Sequence, residues 1–162
     1  MDRADLLEQV VRLLGELGVL YCVVGGQAVN AYVEPLVSLD LDLVVTADQL
    51  ERLESHLRSR FRVEKFPHSL NVSEAESDLR IQIQTDPRYA EFLERVSQRE
   101  VLGRTMPVAS AEDVLQGKVW AVADAGRRPS KRQKDLADIA RPLERYPSLR
   151  SRVPAEILGK LV

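Results

Sequence analysis

A single cysteine, Cys22, is all the chain contains, so no disulfide can form within it. Cys22 lies in an apolar run, where it reads as a small buried hydrophobe in a reducing setting. No window approaches the roughly 20 apolar residues that a membrane span requires, and the charged start MDRADLLEQVVRLL has no signal-peptide core. A cytoplasmic protein with no membrane partner is expected. Strong net charge is missing too. With 23 Lys and Arg against 25 Asp and Glu, the balance of −2 signals no global affinity for nucleic acid, although a neutral total can hide a local basic patch. Internal repeats and low-complexity segments are absent, and His56 and His68 have no neighbours at metal-ligand spacing.

What is present is an ordinary globular composition, 44% hydrophobic and 30% charged. The length of 162 residues fits one domain, 1–162, with a core over about 1–109 and a helical part over about 110–162.

Leu6, Val10, Leu13, Leu14 and Leu17 recur at helical spacing, with Asp2 or Asp5 as cap and Gly18 as stop. A continuous apolar run, 19–24, reads as a buried strand ended by Gly25 and Gly26, and a helix can start at Gln27. Residues 39–45 form a second strand. Side chains alternate across a strand, so Leu39, Leu41 and Leu43 share one face while Ser38, Asp40 and Asp42 share the other. Thr46 and Gln49 match a capping box before the helical stripe Leu50, Leu53, Leu57. Strands are expected over 62–66, 70–72 and 79–85. Asp86 and Pro87 then open a helix, with the aspartate as cap. Residues 101–109 read as extended, with Gly103 or Pro107 marking a turn or an edge. Ser110 caps a helix containing Lys118, 133–144 forms another, and a short one follows Pro154. Trp120 reads as a core residue. The order of elements gives an α+β class: a mixed sheet with helices on one side and a helical C-terminal part.

Asp40 and Asp42 point the same way, about 7 Å apart along the strand, within reach of one divalent cation or a close metal pair. Aspartate is depleted from strands, so either a Mg²⁺ ion with a substrate phosphate compensates the two anions or the sheet face is open to water. Gly25 and Gly26 sit between strand and helix. There they either let backbone N–H groups approach a phosphate or simply make a tight turn. Lys118, three residues after Leu115 and four before Val122, projects toward the packed face of its helix, as a phosphate contact or as a snorkelling side chain.

The combination of a strand, a Gly-Gly turn, a helix and then Asp-x-Asp on the next strand resembles the nucleotidyltransferase superfamily related to DNA polymerase β. The resemblance lies with a small bacterial branch that includes AbiEii-type and MenT-type toxin proteins. The segment PVASAEDVLQGKVWAVADAGRRPSKRQKDLADIARPLE is similar to that family's block of a lysine-bearing helix, a basic loop and a Lys-Asp-x-x-Asp helix. The resemblance covers most of 19–145.

It implies transfer of a nucleoside monophosphate from an NTP to a hydroxyl on RNA or protein, in a toxin–antitoxin or phage-defence setting with a cognate antitoxin as partner. Asp40 and Asp42 would hold Mg²⁺, while Gly25, Gly26, Ser38 and Lys118 would bind the nucleotide. Leu36 stands where the family has an arginine and Ser38 where it has a threonine. Gln82, between Ile81 and Ile83, takes the position of the third carboxylate, and an amide cannot act as a base. Asp78 shares the Gln82 face but lies about 13 Å along the strand. A catalytically degenerate module that senses nucleotides or binds protein is the alternative.

Arg127, Arg128, Lys131, Arg132 and Lys134 crowd ahead of the 133–144 helix, where positive charge opposes the macrodipole. They read as phosphate or RNA contacts, or as a solvated charge run. Asp135 and Asp138 share a helical face and are expected to pair with Lys131, Arg132, Lys134 or Arg141.

Overall fold

A computed structural model describes residues 3–35 and 38–161. The expected cap at Asp2 or Asp5 and the replacement at Leu36 lie outside the residues and side chains it describes. The order of elements is α1 (Arg3–Leu17), β1 (Tyr21–Val24), α2 (Gly25–Tyr32), β2 (Asp40–Val45), α3 (Ala47–Arg58), β3 (Arg62–Phe66), β4 (Ser69–Ser73) and β5 (Arg80–Gln84). A 3-10 helix (Pro87–Glu94) leads to β6 (Val96–Val101) and β7 (Arg104–Ala109). Then come α4 (Ala111–Ala123), α5 (Pro129–Arg145), a second 3-10 helix (Pro147–Arg152) and α6 (Ala155–Leu158). This is the expected mixed α+β class.

All seven strands join one sheet in the order β3-β4-β5-β2-β1-β7-β6. The centre is antiparallel between β1 and β2, with Val24 opposite Asp42, and parallel between β2 and β5, with Asp42 opposite Gln82. Cys22, Val23, Leu41, Leu43, Ile81 and Ile83 are fully buried, so the central strands are covered by a core that also holds Leu6, Leu13 and Leu14 of α1. Burial near 25 cal/mol per Å² of apolar surface favours this arrangement. A second cluster joins α4, α5 and the C-terminal turns through Leu115, Ile139, Leu143, Leu149 and Ile157. No helix among the described residues is long and apolar enough to cross a membrane.

Several expectations shift on the structure. The turn glycines are the first residues of α2 itself, Gly25 having the left-handed φ of +72° that lets the chain swing from strand into helix. Thr46 starts α3 without a side-chain cap, its carbonyl accepting from the Gln49 amide. Asp86 does cap, accepting from the Arg88 amide, but the helix after it is 3-10. Residues 101–109 are the end of a hairpin whose first strand, β6, begins at Val96. Leu102 (φ +51°) and Gly103 (φ +81°) form its two-residue turn, the positive-φ pair that suits hairpin twist. Ser110 caps α4, accepting from the Asp113 amide at 3.1 Å. The largest revision is α5. It starts at Pro129, so the expected basic loop is largely its first turns: Lys131, Arg132 and Lys134 are helical. Proline at the first position, with fixed φ and no N–H to satisfy, explains the earlier start. Trp120 is half-buried, stacked on Phe92 with Arg88 4.6 Å from its ring. His56 and His68 are exposed.

Candidate functional site

Register creates the site. Because Val24 opposes Asp42 and Asp42 opposes Gln82, the β1–α2 turn, the aspartate and the glutamine stand in one row across the sheet. Paired residues of a ladder face the same side. Asp40 and Gly25, Gly26 and Ser38 complete one wall of a cavity of about 210 Å³ with Asp42 and Gln82. The opposite wall comes from α4, α5 and the turn between them: Lys118, Arg127, Ser130, Lys131, Lys134 and Asp135. The sequence-derived residues are thus brought together across more than 100 positions of chain, with two exceptions. Exposed Arg128 is absent from the lining, and Arg132 turns away to donate to the carbonyls of Asp124 and Arg127.

Each carboxylate of the pair has its own environment. Asp40 keeps 42% of its side-chain exposure and accepts from Arg80 Nε at 3.0 Å. Its amide donates to Ser38 Oγ at 3.4 Å, so the Ser38 hydroxyl braces the strand entrance. Asp42 packs its carboxylate over the Cα of Gly25, where a Cβ would stand 3.0 Å from Cγ and run into Oδ2. No hydrogen bond or ion pair reaches the Asp42 carboxylate among the described residues. Burial lifts its pKa above the usual carboxylate value, Lys118 draws it down, Asp40 pushes it up, and Lys134 and Arg127 lower it again.

Opposite lies a buried ion network. Lys118 is 7% exposed and donates to Asp135 Oδ1 at 3.1 Å and to Asp138 Oδ2 at 2.8 Å. Burial works against its charge, yet Asp138 and Asp135 outweigh burial and hold its pKa above the ordinary lysine value. Asp135 also receives Arg127 in a two-pronged contact, Nε at 2.8 Å and Nη2 at 3.0 Å. Asp138 is buried too, but three cations, Lys118, Lys134 at 3.0 Å and Arg141 at 2.9 Å, keep its carboxyl below the usual range. Arg141 in turn donates to Asn30 Oδ1 and to the Glu34 carbonyl, tying α5 to α2.

For Asp138 the expected partners Lys134 and Arg141 are found. Lys131 and Arg132 pair with neither aspartate, whose central partner is Lys118, with Arg127 on Asp135. The sequence signal for this network was the i, i+3 spacing of two acids flanking Leu136 and Ile139 on a buried stripe. Tyr89 closes the cavity floor against Gly117, its phenol pushed up to about 12, chiefly by burial. Asp78 is exposed, precedes β5 and does not line the cavity.

No group of three or more His, Cys, Asp or Glu side chains gathers as a metal site among the described residues. The available donor set is two carboxylates with an amide oxygen beside them. It suits Mg²⁺, which prefers oxygen ligands and takes one or two carboxylates together with substrate phosphates.

No family model matches the chain, and no curated protein does. Solved structures are similar to it. The solution structure of the antibiotic-resistance factor ANT(2'')-Ia superposes with a TM-score of 0.64 at 16% identity, over 98% of this chain and 88% of that one. The lincosamide antibiotic adenylyltransferase LnuA, bound to lincomycin, gives 0.56 at 15% identity, over 83% and 94%. An antigenic nucleotidyltransferase-like protein from Paracoccidioides brasiliensis gives 0.59 at 17% identity, over 98% and 88%. At such identities the likeness shows the fold: the chain has the nucleotidyltransferase fold.

Proposed function

We propose that the protein is a Mg²⁺-dependent nucleotidyltransferase that moves a nucleoside monophosphate from an NTP to an oxygen nucleophile, with RNA as the leading acceptor. The observation that carries this reading is the row Val24, Asp42, Gln82, with Gly25 following Val24, facing a lysine-rich wall across one cavity. Asp40 and Asp42 would hold the metal, which supplies charge neutralisation at the transferring phosphate. The rest belongs to the chain. Gly25, without a Cβ, lets Asp42 and a phosphate share the helix start, where backbone N–H groups favour negative charge. Lys118, locked by two carboxylates, presents a fixed cation; Arg127 and Lys134 widen that positive wall. Positioning and electrostatics carry most of the catalysis in phosphoryl chemistry, and a preformed ion network meets that need without reorganisation.

RNA is favoured by the cations at the start of α5, where Lys131 makes no ion pair among the described residues and Lys134 is half-exposed beside the cavity. Incubation with each labelled NTP, Mg²⁺ and total cellular RNA or protein tests the assignment. Label in RNA supports it; label in protein alone moves the acceptor; no label in any fraction rejects transfer.

A second reading rests on Gln82, an amide where the fold's relatives by sequence pattern carry an acid. In that reading the chain binds NTP and metal without turnover, as a sensing module.

A further inference from the structure

Among the described residues that line the cavity that would hold the nucleotide, none is a free proton acceptor. Its carboxylates are three. Asp40 and Asp42 form the metal pair, and both oxygens of Asp135 are taken by Lys118 and Arg127. Of its lysines, Lys118 is pinned between two acids and Lys134 pairs with Asp138. Gln82 stands beside Asp42 with no side-chain hydrogen bond of its own among the described residues, and Gln84, two residues on, is a second amide on the same face. No histidine lines the cavity among the described residues. A hydroxyl acceptor must give up a proton as it attacks, and a positioned base contributes roughly 10²–10⁴-fold to such a step. The described residues lining the cavity offer none.

Resting on the nucleotidyltransferase reading above, we propose that the acceptor is a phosphate monoester, an oxygen nucleophile that is already anionic. One oxygen of the acceptor phosphate attacks the α-phosphorus of the NTP. The bond from that phosphorus to the bridging oxygen breaks, and pyrophosphate leaves with its electron pair. The product is a phosphoanhydride, and no proton leaves the acceptor. The cavity's polar surface matches the demand: Lys131, with no ion pair among the described residues, and half-exposed Lys134 line it together with Lys118 and Arg127, giving a second anionic group cations to meet. Gln82 and Gln84 can donate amide N–H groups to its oxygens, which a carboxylate at 82 could not do without repulsion.

The experiment compares matched acceptors with labelled NTP and Mg²⁺: a short RNA with a terminal phosphate and blocked hydroxyls, the same RNA with free hydroxyls and no terminal phosphate, and glycerol phosphate. NTP binding is followed separately by thermal shift. Transfer to phosphorylated RNA should exceed transfer to hydroxyl-only RNA by about 10²-fold or more, the size of a missing base. Its rate should be flat above about pH 7, because the second phosphate ionisation lies near 6. Gln82→Glu should lower phosphate transfer and raise hydroxyl transfer. Labelling of glycerol phosphate alone would assign a small phosphate ester as the source; labelling of both would make the phosphate itself the determinant. Equal labelling of hydroxyl-only RNA, or a rate climbing steadily with pH, overturns the proposal and leaves the nucleotidyltransferase reading standing. NTP binding with no transfer to any acceptor overturns the proposal in favour of a sensing module. Absence of NTP binding overturns both.

Discussion

The Cα of Gly25 lies against the carboxylate of Asp42, so close that a Cβ at position 25 would sit 3.0 Å from Asp42 Cγ. The contact joins the β1–α2 turn to the centre of β2, and Gly25 reaches it with a φ of +72°. Gly25→Ala therefore meets two obstacles at once. The backbone strain alone costs about 1–3 kcal/mol, and Asp42 must move from its place over the helix start. Denaturant unfolding should show that loss, and metal-dependent nucleotide binding should fall with it. Gly26→Ala should be milder, because the nearest atom to its Cβ is the mobile Lys134 ammonium at 3.0 Å.

Removing Lys118 should damage stability as well as the site. Lys118→Met leaves Asp135 and Asp138 buried with their central cation gone. Breaking a buried pair from one side costs about 3–5 kcal/mol. Unfolding free energies of wild type and variant should differ by that order, whereas a snorkelling lysine would show well under 1 kcal/mol.

The same network predicts a pH profile. Asp138 is held below its ordinary 3.8, burial opposing and Lys118, Arg141 and Lys134 prevailing. Its contribution is therefore present above 3.8 and lost as pH falls through the lower folded value. Lys118 behaves in the opposite sense: its stabilisation is present below 10.5 and lost as pH rises through its raised folded value. The stability gap between wild type and Asp138→Asn should thus be level across neutral pH and close on acidification below the ordinary carboxylate range. A gap that persists unchanged in acid would show that charge at Asp138 does not matter.

Arg80 offers a contrast. Its ion pair with Asp40 is exposed on both sides, 67% and 42%, so Arg80→Ala should change stability by no more than about 1 kcal/mol. It should instead strengthen metal binding, because Asp40 then loses a competing cation. Titration of Mg²⁺ against the nucleotide-bound variant reads that directly; unchanged or weaker binding would mean that Arg80 does not compete at Asp40.

Much of this was legible in the sequence, for local reasons. Alternation in 39–45 placed both aspartates on one face, and Ser110 and Asp86 announced their caps through side chains that bond their own neighbourhood. The family resemblance set Gln82, between Ile81 and Ile83, at the position of a third acid, and the parallel register puts it beside Asp42. What stayed hidden depends on tertiary partners. The strand β6 is exposed over most of its length and has no buried face to impose an apolar period, so only its pairing with β7 reveals it. Lys118 as the partner of Asp135 and Asp138 could not be read either, since 17 residues and a turn separate the first two. The early start of α5 was masked by a run of cations that the macrodipole disfavours, and which the acids of the network and the cavity make tolerable.

The proposed metal and nucleotide site depends on Asp42, whose carboxylate has no hydrogen bond or ion pair among the described residues. The most direct test of that dependence is thermal unfolding with each NTP, with and without Mg²⁺, for wild type and Asp42→Asn. Wild type should be stabilised only when both are present, by about 2.7 kcal/mol when ligand stands at 100 times Kd, and Asp42→Asn should lose that stabilisation while remaining folded. Equal stabilisation of Asp42→Asn, or none in wild type with any NTP, would contradict it.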